Sequence, residues 1–109
     1  MAIDVGDVAA KIVTAMQGVF KTNWPVISSY ATGEAQKLAH TFVQIAELRA
    51  SNQISEAEGS VLLEMQKNAT RGVLLAVQGM GLLTVEEAIN AALAAVKDIV
   101  NTAIGFVLI

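Results

Sequence analysis

The chain contains no cysteine, a single proline, a single histidine and a single tryptophan. Without cysteine there can be no disulfides and no thiolate metal sites, and the redox compartment is left open. With His40 as the lone imidazole, a di-metal carboxylate bundle is excluded, because no glutamate is followed three residues on by histidine. Charged residues make up only 16% of the chain, against about 25% in ordinary soluble domains. No basic stripe is present, so a nucleic-acid partner lacks its electrostatic footprint. The polybasic segment that would draw a chain to anionic lipid is missing as well. The longest uncharged run, Gly72–Val85, has 14 residues, too few to span a bilayer. Asp4 and Asp7 stand where a secretory signal carries lysine or arginine, so the expected location is cytoplasmic.

What the chain does have is apolar and helix-forming. Hydrophobic residues are 54% of the total, mean hydropathy is +0.55, and 18 of the 109 residues are alanine. No stretch alternates apolar and polar residues, so the chain reads as all-α. A lone chain of 11.4 kDa would expose on the order of 5,800 Å². The 17 charged residues then cover it at about one per 340 Å², leaving apolar patches close to the ~300–600 Å² typical of interaction surfaces. Net charge is −3; residues 1–53 balance, and the acidic excess lies in residues 54–109.

The clearest element is Thr84–Ile109. Val85, Ile89, Ala92, Val96, Ile99, Ala103 and Phe106 recur at alternating steps of four and three, a seam along one helix face. Earlier in the chain, Asp4 is placed to cap a first helix with seam Val5, Val8, Ile12, Ala15 and Val19. Pro25 removes a donor and biases Trp24 away from helical dihedrals, so Trp24 and Pro25 form the expected hinge. A second helix carries Ala31, Ala35, Leu38, Phe42 and Ile45 inward, with Gln36, Lys37, His40, Gln44 and Glu47 in solvent. Ser55 with Glu58 reads as a capping box opening a third helix, whose inner face is Leu62, Met65, Ala69, Val73 and Ala76. Gly79 and Gly81 end it, and Thr84 with Glu87 reads as a second capping box. The expected helices are 4–22, 25–52, 56–78 and 85–108 in a single domain, 1–109. Short connections predict an antiparallel four-helix bundle. Its alternative is a long kinked helical hairpin, with the first two helices joined, completed by oligomerisation.

No constellation of catalytic residues emerges. His40 lies on the polar stripe between Gln36 and Gln44, where a surface imidazole is the plain explanation. Glu64, Lys67 and Arg71 read as a solvated stripe, and Glu86 and Glu87 as first-turn residues that offset the helix dipole. Gly79-x-Gly81 is too short for a phosphate loop. Phe20, Trp24 and Tyr30 bracket Pro25 as a satellite aromatic cluster. Alanine and glycine at i,i+4 spacing, as in Ala31/Ala35/Ala39, Ala88/Ala92, Ala91/Ala95 and Gly72/Ala76, permit close helix approach.

The expected function is therefore non-enzymatic, with no cofactor and no metal. The chain is a self-associating structural, assembly or interaction protein, of a type shared with phage and bacterial accessory proteins. Its partner is another copy or a helical protein, met through Val73, Leu74, Val77, Ile89, Val96, Ile99, Phe106, Leu108 and Ile109. Behind this stands a membrane-active (pore-forming or holin-like) protein, disfavoured by Lys97 and Asp98 in mid-helix. A bundle holding a small apolar ligand is the third expectation.

Overall fold

A computed structural model of the chain describes residues 3–109. These residues are all-α, with no strand among them. Helix α1 is Val5–Phe20, a 3-10 turn occupies Lys21–Asn23, and α2 is Trp24–Ala50; α3 is Glu56–Ala76 and α4 is Leu82–Ile104. No non-helical residue separates α1, the turn and α2, so Val5–Ala50 forms one helical span, followed by two further helices. This differs from four separate helices. The joined span is nevertheless bent back on itself. End to end, α1 and α2 would measure about 65 Å at 1.5 Å per residue, whereas the longest axis of the molecule is 42 Å.

The reversal falls at Lys21, with φ 51° and ψ −114°. Trp24 is in ordinary helical conformation (φ −55°, ψ −44°) and Pro25 sits in the first turn of α2, where its missing N–H leaves no bond unmade. The expected hinge at Trp24 and Pro25 is thus displaced to Lys21, and those two residues open α2 instead. A lysine in this backbone region is strained by about 1–3 kcal/mol. Lys21→Gly is therefore expected to raise stability by about 1 kcal/mol, seen as a higher urea midpoint. A lowered midpoint would mean that the lysine side chain contributes more than the strain costs.

Neighbouring helices run antiparallel. Glu34 meets Thr70 while Ile45 lies over Gly59, which sets α2 against α3. Arg71 bonds Glu86 while Leu63 and Leu93 line one groove, which sets α3 against α4. α1 packs against both α2 and α4. Asp4 caps α1 by accepting from the Asp7 N–H at 3.0 Å. Ser55 and Glu58 close the expected capping box at 3.1 and 2.8 Å.

Expectations about faces and ends are corrected in both α4 and α3. In α4 the seam follows Val85, Ile89, Ala92 and Val96 but continues through Val100 and Ile104, leaving Ile99 38% exposed. A straight helix repeats at 3.6 residues, so an apolar row that keeps a strict 3.5 repeat drifts off the buried side within three heptads. α4 also begins one turn early, at Leu82 with Gly81 as cap, and the Thr84–Glu87 capping box does not form. It ends at Ile104, where Gly105 takes φ 91° and turns the tail back. The largest correction concerns α3. Its buried residues are Gly59, Leu63, Thr70 and Leu74, whereas Met65, Ala69 and Ala76 of the expected face are exposed. The helix is rotated by about one residue, 100°, because its inner side must accommodate Glu34 and Phe106.

The returning tail fills the gap between α3 and α4. Asn101 holds it: its Oδ1 accepts from the N–H groups of Leu108 (2.9 Å) and Ile109 (3.0 Å). A Cβ on Gly59 would lie 3.2 Å from the Phe106 ring and 3.3 Å from Ile45, so a side chain there would push one of them by a few tenths of an ångström, and glycine leaves the ring its close approach to α3. The folded chain exposes 5807 Å², about what a lone compact chain of this mass presents.

Candidate functional site

Glu34 and Thr70 are the buried polar side chains among the described residues. Glu34 is 2% exposed and lies on the inner side of α2, three residues after Ala31 and four before Leu38. Its Oε1 accepts from the Thr70 hydroxyl at 2.9 Å and its Oε2 from Lys37 Nζ at 3.0 Å. Thr70 in turn accepts from Gln66 Nε2 at 3.1 Å. Both carboxylate oxygens are engaged and no open face remains, so Glu34 locks α2 to α3 rather than presenting a base to a substrate.

At the other end of α3, Arg49 gathers several elements. Its Nη1 donates to the Ile54 carbonyl at 2.9 Å, Nη2 lies 3.8 Å from Glu56, and the guanidinium stands 5.4 Å from the Phe106 ring centre. Its buried Nε has no partner. The end of α2, the start of α3 and the tail are therefore held by one side chain.

Arg71 donates to Glu86 and to Asn68 Oδ1, joining α3 to α4. Glu86 thus serves an interhelical ion pair and not the first turn, as the sequence suggested. The Arg71 hydrogen bond holds the Glu86 carboxyl below its usual range. The Ser55 N–H, and then its hydroxyl, do the same for Glu58. Groups with depressed folded pKa values stabilise the fold fully above their unfolded value and lose that effect as pH falls through the folded value. Stability is therefore expected to drop as pH falls below about 4.3, the free glutamate value. A Glu58→Gln/Glu86→Gln chain should show a flatter acid limb in pH-dependent melting; an unchanged slope would remove these groups as the cause.

Several grooves lie on the surface, and two of them border α2. One, of about 620 Å³, runs between α1 and α2 over Gly6, Ala10 and Val13, with His40 as its only titratable lining group. The other, of about 310 Å³, lies between α2 and α3, lined by Thr41, Gln44, Leu62, Met65, Gln66 and Ala69 without a single charge. Beside it the outer ridge of α3 carries Ala57, Val61, Met65 and Ala69 at i,i+4 spacing, all exposed. Among the described residues no group of three or more His, Asp or Glu side chains could hold a metal ion.

The residues expected to form a partner surface are placed as follows. Leu74, Ile89 and Val96 are buried in the chain's own core. Val73 and Val77 are half-buried on α3 and just beyond it. Phe106, Leu108 and Ile109 are half-buried against the core, covered by the chain that carries them. Ile99 alone of the set is exposed. The apolar surface that does remain outside includes Val26 and Tyr30, Val61 and Met65, and Leu82 and Leu83. Met65 stands on the face of α3 that the sequence periodicity turned inward, and the structure places it outside with Val61. Glu34 was missed although its seam position, between Ala31 and Leu38, was there to be read.

No protein-family model, curated protein or solved structure matches the chain.

Proposed function

We propose that this chain is a non-enzymatic helical building block, an antiparallel four-helix bundle that self-associates through the outer face of α3. The observation that carries this reading is the uncharged ridge and groove: Val61 and Met65 are 58% and 63% exposed, and no lysine, arginine, aspartate or glutamate lines the groove beside them. Apolar side chains of this size left in water favour association by the area they remove from solvent. The membrane-active alternative draws on exposed Leu82 and Leu83, yet no described helix is long and apolar enough to cross a membrane.

Light scattering across a concentration series tests the proposal. The wild-type chain is expected at a multiple of 11.4 kDa. Met65→Glu, at an exposed position, should keep full helicity while its dissociation constant rises about 100-fold, the effect of roughly 2–3 kcal/mol for an unpaired interfacial charge. A wild-type chain that stays monomeric at several hundred micromolar would overturn the reading.

A further inference from the structure

Independently of self-association, we infer that the end of the bundle built by the α1–α2 turn and the α3–α4 loop docks on a phospholipid bilayer, inserting Val26, Leu82 and Leu83 with Trp24 and Tyr30 at headgroup level. The pairings Glu34–Thr70 and Ile45–Gly59 fix the register of α2 on α3. Continued along both helices, that register brings Val26 level with Gln78 and Tyr30 level with Leu74. The Arg71–Glu86 pair sets Leu82 level with Leu75 in the same way. At about 1.5 Å per residue, these side chains lie close to one end of the 42 Å long axis. Half of the large apolar side chains exposed among the described residues gather there: Val26 and Tyr30 from α2, Leu82 and Leu83 from α4. Trp24 is half-buried at the same end.

Charge is segregated to match. Residues 18–30 and 74–83, which build this end, carry one charged side chain, Lys21. Residues 3–9, 45–60 and 98–104, at the opposite end, carry six acids and Arg49. Seating the first end in a lipid interface therefore desolvates no carboxylate, whereas the opposite end would press its carboxylates against lipid phosphates. A second copy is the rival occupant, and area decides against it. End on, the molecule measures 22 × 18 Å, about 400 Å², half of the ~800 Å² that each partner of a stable interface buries. A bilayer sets no such minimum, because binding follows the apolar surface inserted, with Trp and Tyr where apolar and wet surroundings meet. Docking of this kind needs no spanning helix, and none is found among the described residues.

Trp24 is the only tryptophan, so its fluorescence reports this end alone. The chain is titrated with phosphatidylcholine vesicles and binding is read by co-sedimentation. Saturable binding is expected, with Trp24 quenched when the lipid is brominated in its acyl chains and amide exchange of the core as slow as in solution. Leu82→Asp/Leu83→Asp changes two side chains that are 58% and 75% exposed, and should keep its helicity while binding vesicles at least tenfold more weakly. Val61→Asp/Met65→Asp, on the outer face of α3, should leave Trp24 of the bound chain quenched. No vesicle binding, binding without quenching, or loss of core protection on vesicles would overturn the inference whatever mass light scattering gives, and self-association could stand without it. A Leu82→Asp/Leu83→Asp chain that binds like wild type overturns it too. So does a lower mass for that variant in lipid-free solution, which would put a second copy on this end.

Discussion

Val100→Asp is expected to unfold the chain or nearly so, while Ile99→Asp, one residue earlier, is expected to be tolerated. Val100 is fully buried between α4 and its neighbours, and Ile99 is 38% exposed. A carboxylate buried without a partner either ionises at high cost or stays neutral with a pKa raised by about 3–5 units, some 4 kcal/mol or more at neutral pH. That is a large part of the roughly 5–15 kcal/mol that holds a domain of this kind together. At Ile99 the new carboxylate reaches water, and the loss should stay below about 1 kcal/mol. Chemical denaturation of the two variants checks the pair. Equal losses, or the reverse order, would restore the strict heptad seam through Ile99 and refute the drift to Val100.

The second large effect belongs to the buried pair. Thr70→Val removes the one donor that α3 gives to Glu34, leaving a carboxylate oxygen 2% exposed and unbonded. A loss of about 2–3 kcal/mol is expected, the range for a hydrogen bond to a buried charge. Glu34→Met combined with Thr70→Val should recover most of that loss, because the polar requirement is then removed from both sides at once. The measurement is a double-mutant cycle on urea midpoints. If the losses simply add, Glu34 and Thr70 are not coupled. Lys37, whose side chain is 60% exposed, can be solvated in the absence of Glu34 and should not obscure the result.

The elements themselves were largely legible. Asp4 and the Ser55–Glu58 box begin α1 and α3 where their cap chemistry says. The inner face of α2 is the expected row from Ala31 to Ile45, with its polar stripe outside. α3 was misread for a definite reason. Hydropathy ranks Leu62, Met65 and Ala69 above Gly59 and Thr70, so periodicity turns the helix to face inward with that side. The fold instead turns inward the side that can accept a carboxylate and an aromatic ring: Thr70 bonds Glu34, and Gly59 admits Phe106. The surface of interest appeared only once that rotation was known. The tail was likewise misassigned to a partner, although Gly105 was available as a helix stop and Asn101 as a hydrogen-bonding anchor.

By itself, then, the amino-acid sequence determined that the chain is helical, where its strongest caps lie, and that it is short of charge. These properties are local or compositional, since caps and periodicity act within a turn or two. Only the tertiary structure decided which side of α3 is inside, that Lys21 and not Pro25 carries the reversal, and that the apolar tail covers its own core. Each of those choices depends on what a distant segment offers across the interior. Glu34 needed a hydroxyl from 36 residues away, and no pattern within one helix can state that requirement.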